Sequence, residues 1–99
     1  MAETNTARPW ADRLGDWLGE KVVVDCVPPF VALGTLVGVS GDSLELADAD
    51  LHDLRDTDTT RELYVAKAAR HGVEPNRGEL LLRIDQILAV APLASVESG

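Results

Sequence analysis

The chain has few of the residues that mark several common protein classes. Its 99 residues include one cysteine, which excludes an intramolecular disulfide and gives no support to an oxidising compartment. Only four residues are aromatic, so valine, leucine, isoleucine and alanine must build the core. The longest apolar stretch, residues 27–39, is interrupted by prolines and glycines and falls short of the roughly 20 residues of a membrane-spanning helix. Residues 1–10 do not resemble a signal peptide. We therefore expect a cytoplasmic protein that does not enter a membrane.

Basic residues are scarce, and the acidic residues are clustered. The formal net charge is −8. Residues 41–62 hold two arginines against eight acids, namely Asp42, Glu45, Asp48, Asp50, Asp53, Asp56, Asp58 and Glu62. Proteins that bind nucleic acid through its backbone need a positive surface, and no stripe of lysine or arginine is visible here. The charge therefore disfavours RNA as a partner.

Catalytic and metal-binding motifs are also lacking. The acidic segment does not fit a calcium-binding loop, because the sixth position counted from Asp48 should be glycine and is Asp53. Cys26 lies in an apolar segment, where a free cysteine is usually a small buried hydrophobe. His52 and His71 have no spacing typical of a metal site or a catalytic triad. We therefore predict no enzyme activity, no metal and no cofactor.

The first half of the chain predicts a short helix and three strands. Four apolar residues, Trp10, Leu14, Trp17 and Leu18, recur at helical spacing and predict a helix over residues 9–18. Residues 21–27 and 31–40 are rich in β-branched side chains and predict two strands. Residues 40–43, Ser-Gly-Asp-Ser, are typical of a turn, and the alternating residues 44–51 predict the third strand.

The second half predicts an inserted helix and two more strands. Thr59 and Glu62 form a capping box, which predicts a helix over residues 60–71, with Leu63, Ala66 and Arg70 on one face. Residues 74–79 are interpreted as a loop, and strands are predicted near residues 80–84 and 87–91. This order favours a mainly β fold, a small five-stranded SH3-like barrel, over residues 9–93. We expect a disordered N-terminus over residues 1–8 and a flexible tail over residues 94–99.

The segment Val-Val-Val-Asp-Cys-Val-Pro-Pro-Phe-Val-Ala-Leu-Gly-Thr-Leu-Val-Gly-Val resembles the first two strands of the Sm-like family, which includes Sm, LSm and Hfq proteins. Gly34, Leu36 and Val39 match its Gly-x-Leu-x-x-hydrophobic pattern. A glycine is needed there because backbones crowd in a strongly bent strand. The resemblance covers residues 10–50 well and 79–91 loosely, as in a divergent, bacterial-type member. It implies the Sm-like barrel fold.

The resemblance also implies a homo-oligomeric ring. In the family, the fourth strand of one subunit pairs with the fifth strand of the next, and such head-to-tail contacts close into rings. The corresponding strands here supply the predicted subunit interface, formed by Leu80, Leu82, Ile84, Ile87 and Ala89. The turn at residues 27–30, Val-Pro-Pro-Phe, has two interpretations: a rigid turn whose Phe30 packs on the end of the barrel, or an apolar tip that docks on a neighbour.

The RNA site of the family would lie at the turn after the second strand, where an Asp and an Asn hold a base. Here Ser40 stands in the Asp position and the Asn is missing. The candidate RNA-binding residues are Ser40, Asp42, Ser43 and Arg83. Arg83 has a simpler interpretation, a surface ion pair with Glu74, Glu79 or Asp85. We therefore predict a non-enzymatic ring module for protein interaction or scaffolding, with RNA binding as the alternative.

Overall fold

The computed structural model describes residues 9–56 and 59–96. Five antiparallel strands form one sheet in the order β4-β3-β2-β1-β5. The elements in chain order are α1 (Trp10–Gly15), β1 (Lys21–Cys26), β2 (Phe30–Val39), β3 (Ser43–Asp53), α2 (Arg61–His71), β4 (Arg77–Arg83) and β5 (Ile87–Pro92), with 3₁₀ turns at Leu54–Asp56, Ile84–Gln86 and Leu93–Ser95. The predicted mainly β fold, with an N-terminal helix and an inserted helix, is confirmed.

Both faces of the sheet are covered at β1. One cluster packs Val22 and Val24 against side chains of α1, β2 and β3, among them Leu14, Leu36 and Leu46. The second cluster packs Val23 on the opposite face against a set that α2 completes, Val31, Leu33, Val65, Ala68 and Leu93. Burial of each such side chain contributes about 1.5–3 kcal/mol to folding. Successive residues of β1 point to opposite faces, so its continuous apolar run is explained by two cores.

The bend of β2 over β3 depends on Gly34. A Cβ at this position would lie 3.0 Å from Ala49 Cβ, 3.1 Å from Ala49 Cα and 3.2 Å from the carbonyl oxygen of Ala47. The β2–β3 pairing is irregular beside it, and Asp48 has a positive φ of 48°. The predicted reason for the glycine, close approach of two backbones, is confirmed.

The 3₁₀ turn at Ile84–Gln86, which we call the corner, connects the two outer strands, β4 and β5. The amide of Ile84 donates to the carbonyl of Asp42 at 2.9 Å, and the amide of Val27 donates to the carbonyl of Gln86 at 2.8 Å. The corner is thus tied to the β2–β3 turn and to the end of β1. Over residues 9–56 and 59–96, no backbone ladder joins β4 to β5, and both remain outer strands.

Several predicted boundaries were wrong by a few residues. Helix α1 ends at Gly15 rather than residue 18, and the chain reaches β1 through turns that end at Gly19, where φ is +88°. Strand β3 continues to Asp53, beyond the predicted end at residue 51. Strand β4 starts at Arg77, within the predicted loop. There the side chain of Asn76 pairs with the backbone of Leu51, at 3.1 and 3.3 Å, and so prolongs the β3–β4 edge.

The inserted helix differs from its prediction in its cap and its buried face. Thr60, not Thr59, is the N-cap, since its Oγ1 accepts a hydrogen bond from the amide of Leu63 at 3.1 Å. The buried residues are Val65 and Ala68, whereas Leu63, on the predicted face, is 64% exposed. The predicted disordered N-terminus, residues 1–8, and the last three residues of the predicted tail lie outside the described residues. The rest of that segment, residues 94–96, follows the buried Leu93.

Candidate functional site

The β2–β3 turn is organised by the hydroxyl group of Ser40. This oxygen donates to Asp42 Oδ1 at 3.0 Å, shares a hydrogen bond with Ser43 Oγ at 2.9 Å and accepts one from the amide of Ser43 at 3.2 Å. The amide of Ser40 donates to the carbonyl of Ser43 at 2.9 Å. The polar groups of the turn are therefore hydrogen-bonded to one another, and Ser40 orients the Asp42 carboxylate.

Arg83 lies directly beside this turn. Ser43 and Arg83 are partners in the β3–β4 register, so all four predicted RNA-binding residues lie at one end of the sheet. Three of the four, Asp42, Ser43 and Arg83, border an open hollow of about 570 Å³, which we call the turn hollow, lined by the 41–43 turn, Leu81 and residues 83–85. Arg83 Nη2 donates to Asp85 Oδ2 at 2.7 Å, which confirms the interpretation of Arg83 as half of a surface ion pair.

The charge of the turn hollow is negative. Its lining contains two carboxylates, Asp42 and Asp85, and one guanidinium, that of Arg83. Because Arg83 is paired with Asp85, its positive charge is largely neutralised at the site itself. The remaining charge of the turn hollow is that of the Asp42 carboxylate, which lies at an exposed position.

The predicted interface residues lie on the outer strands and in the corner between them, and they differ in how far they are buried. Leu80, Leu82 and Ile87 are partly buried and pack against the chain's own core. Ile84 is half-buried in the corner, and Ala89 is exposed. Sequence reasoning missed two exposed leucines of these strands, Leu81, at 67%, and Leu88, at 65%. For Leu81 the signal was available: side chains of a strand alternate, so inward Leu80 and Leu82 require an outward Leu81.

A polar layer between α2 and the sheet was also missed. Arg61 donates to both carboxylate oxygens of Asp25, at 2.7 Å each, in a half-buried bidentate pair. Tyr64 Oη donates to Asp50 Oδ2, and burial, followed by this hydrogen bond, raises the pKa of Tyr64. His52 stacks on the Tyr64 ring with centroids 4.3 Å apart. These side chains come from β1, β3 and α2, so only the folded chain brings them together.

The turn at residues 27–30 and the end of β3 form another exposed region. Phe30 is partly exposed, and the Arg55 guanidinium lies 6.0 Å from the centroid of its ring. Hydrogen bonds from the side chain and backbone of Arg55 lower the pKa of Asp53 to about 2. Val27 is exposed beside Phe30, so both interpretations of this turn stay predictions.

Cys26, the one cysteine of the chain, is buried. Burial, and then the charge of Asp25, raises the pKa of the Cys26 thiol, so the reactive thiolate is disfavoured. In the part of the chain described, no three His, Cys, Asp or Glu side chains come together as a metal site would require. Over the same residues, no helix has the length and apolar character needed to cross a membrane.

Three solved structures similar to this fold are of Sm or Sm-like proteins. An Sm protein of Pyrococcus abyssi in complex with a uridine heptamer is 22% identical, with a TM-score of 0.58, over 86% of this chain and 99% of that chain. A heptameric archaeal Sm protein is 22% identical, with a TM-score of 0.55, over 82% and 96%. An Sm-like protein from Archaeoglobus fulgidus is 20% identical, with a TM-score of 0.53, over 93% and 96%.

No protein-family model and no curated protein matches the chain. The likeness to solved structures confirms the predicted Sm-like fold, because it extends over 82–93% of this chain. The sequence identity is low, so the likeness concerns the fold alone. The bacterial-type assignment stays a prediction.

Proposed function

We propose that the protein is a non-enzymatic module that assembles into a homo-oligomeric ring and uses this ring as a scaffold for protein interaction. The observation that carries the proposal is the pair of unpaired outer strands, β4 and β5, each with a highly exposed leucine. Every other strand of the sheet has a neighbour on both sides.

Each of the two outer strands has an edge that could pair with another copy. An outer strand presents unpaired amides and carbonyls, and monomeric proteins usually protect such an edge with charges, prolines or a covering segment. Strand β5, Ile-Leu-Ala-Val-Ala-Pro, has no charge, and its only proline is its last residue. A β4–β5 contact between copies would also cover Leu81 and Leu88. It joins two different surfaces, so successive copies form a closed ring when the rotation allows.

The likeness to a heptameric Sm protein supports the same arrangement. The ring interface would follow the outer strands, with the predicted residues Leu80, Leu82, Ile84, Ile87 and Ala89 contributing mainly through their backbone. The side-chain contact would come from Leu81 and Leu88, which the chain leaves uncovered.

Light scattering coupled to size exclusion tests the ring. We expect the wild type to elute at a multiple of its 10.6 kDa subunit mass. Leu81→Glu and Leu88→Glu should each shift the protein to the monomer, because a charge at the pairing edge must be desolvated. Leu63→Glu is the matched control, since Leu63 is equally exposed but lies on α2. A wild type that is monodisperse as a monomer at high concentration would refute the ring.

RNA binding at the β2–β3 turn is the second candidate. It is favoured by the position of Arg83 beside Ser40, Asp42 and Ser43, and by the likeness to an Sm protein in complex with a uridine heptamer. The acidic charge of the chain weighs against it. Fluorescence anisotropy with uridine and adenosine heptamers at low salt separates the two candidates. No binding at tens of micromolar protein would eliminate the RNA alternative.

A further inference from the structure

We infer that the side chain of Asn76 closes the end of β3, residues 51–53, against a strand of another copy, and so confines pairing between copies to the edges of β4 and β5. The confinement to β4 and β5 rests on the proposed ring, whereas the closed edge is a property of the single chain. The inference assigns to one side chain in the loop before β4 a role in selecting how copies assemble.

The end of β3 extends beyond its outer neighbour. On the inner side of β3, the pairing with β2 continues as far as Asp53. On the outer side, the pairing with β4 stops at Ala49, which lies opposite Arg77. Over residues 9–56 and 59–96, no strand covers the outer edge of the end of β3. An edge of this kind is where a further strand can add.

Pro75 explains why β4 does not continue along this edge. The register that places Arg77 opposite Ala49 would place Pro75 opposite Leu51, since each strand advances by two residues. Proline has no backbone N–H, so at this position it could not donate to the carbonyl of Leu51. An extended β4 would therefore leave the edge of β3 only partly satisfied.

The side chain of Asn76 takes the place of the missing strand. Its Oδ1 accepts from the amide of Leu51 at 3.1 Å, and its Nδ2 donates to the carbonyl of the same residue at 3.3 Å. The backbone amide of Asn76 donates to the carbonyl of Ala49 at 2.8 Å. One carboxamide thus occupies both backbone groups that Leu51 would offer to an added strand.

The last residue of β3 is protected by charge, in contrast to β5. Arg55 Nη2 lies 2.7 Å from Asp53 Oδ2 in an ion pair, and charged side chains commonly protect strand edges. The residues of β5, Ile-Leu-Ala-Val-Ala-Pro, carry no charge, and in the described part of the chain its outer edge has no partner strand. The strand that an uncovered β3 end would accept is therefore β5 of another copy.

The variant Asn76→Ala tests the inference, because it removes both side-chain hydrogen bonds to Leu51 and keeps the backbone amide that donates to Ala49. In light scattering coupled to size exclusion, we expect the single mass of the wild type to be replaced by a distribution that extends to higher masses with rising protein concentration. The reason is that β5 of one copy then has two edges to pair with, that of β4 and that of the end of β3. An unchanged single mass over the same concentrations would overturn the inference.

The matched control for lost stability is Thr60→Ala. It also removes a hydrogen bond between a side chain and the backbone, that from the amide of Leu63 to Thr60 Oγ1 at 3.1 Å, but it uncovers no strand edge. Circular dichroism selects a temperature at which both variants are as folded as the wild type. Thr60→Ala should keep the wild-type mass there. Equal association of both variants would overturn the inference, since destabilisation alone would then explain it.

Hydrogen exchange and a second substitution locate the new contact. In Asn76→Ala at low protein concentration, the amide of Leu51 should exchange about tenfold faster than in the wild type, and it should slow again as the protein associates. Adding Leu88→Glu should abolish the association, because a charge on β5 blocks its edge. Association without slower exchange at Leu51, or association that survives Leu88→Glu, would overturn the inference.

The wild-type mass separates this inference from the proposed function. A monomeric wild type refutes the ring, and an Asn76→Ala variant that then associates through the end of β3 supports the closed edge. A wild-type ring whose mass Asn76→Ala leaves unchanged supports the ring and overturns the inference.

Discussion

Strands β1 and β4 each contain three consecutive apolar residues, and the two triplets have opposite environments. Val22, Val23 and Val24 are all buried, because β1 lies between β2 and β5 and has a core on each face. In β4, Leu80 and Leu82 are partly buried while Leu81 is exposed, because a core packs on only one face of β4. A continuous apolar run can therefore mark a strand with a core on both faces, as in β1, or a strand with a core on one face, as in β4.

The comparison also explains how an acidic chain of 99 residues stabilises its fold. The interior strand β1 is packed on both faces, with α1 contributing to one core and α2 to the other, whereas Leu81 of β4 and Leu88 of β5 lack cover. Small domains bury a limited fraction of their surface, and partner surfaces often supply the rest. The contrast between interior and outer strands predicts different responses to substitution.

The largest effect should come from truncation in the interior. We expect Leu36→Ala to lower the free energy of unfolding by about 2–5 kcal/mol, because Leu36 is fully buried and the truncation leaves a cavity. Leu81→Ala should cost less than about 0.5 kcal/mol at low protein concentration and more where the ring is populated. Urea unfolding over a range of protein concentrations measures both. A concentration-independent loss for Leu81→Ala would contradict the distinction between the two strands.

An intermediate effect is expected where one methyl group is added to a glycine. Gly34→Ala should lower the free energy of unfolding by about 1–3 kcal/mol, because the new Cβ would lie 3.0–3.2 Å from atoms of Ala49 and Ala47, including backbone atoms that cannot easily move. Gly78→Ala on β4 is the control, since no atom lies within 4 Å of its added Cβ. It should be neutral or slightly stabilising. Equal thermal shifts in the two variants would contradict the crowding argument.

The smallest effect is expected for the surface ion pair between Asp53 and Arg55, at the end of β3 that does not pair with β4. The pKa of Asp53 is lowered to about 2, chiefly by hydrogen bonds from Arg55. A pKa lowered by folding adds stability that is present above about pH 4 and is lost as pH falls through about 2. A ¹³C NMR titration should detect this pKa, and Arg55→Gln should raise it towards its ordinary value. An unchanged Asp53 titration in Arg55→Gln would remove Arg55 as the cause.

Local patterns predicted the strands and helices but not the partners of their side chains. The β-branched run before Pro28 and the turn residues at 40–43 indicated strands correctly, because these preferences act within a few residues. The buried face of α2 was predicted around Leu63 and proved to be Val65 and Ala68. The helix is oriented by Arg61 on Asp25 and Tyr64 on Asp50, contacts between residues far apart in the chain, which no helical period reveals.

The residues of the candidate site were predicted, but not all of their surroundings. The resemblance selected Ser40, Asp42, Ser43 and Arg83, and the fold brings all four to one end of the sheet. The partner of Arg83 was predicted among nearby acids and is Asp85. The apolar wall of the turn hollow was not predicted, because it depends on the 3₁₀ corner, which turns Ile84 towards the β2–β3 turn.

The sequence by itself determined the number of strands, the need for a glycine at position 34 and the negative charge of the β2–β3 turn, since each depends on residue type and local spacing. Only the tertiary structure decided that β1 became an interior strand and that β4 and β5 became outer strands. Strand order is set by backbone hydrogen bonds between distant segments, and these bonds do not depend directly on side-chain type. Val23 is buried and Leu81 is exposed because the fold packs a core on both faces of β1 and on only one face of β4.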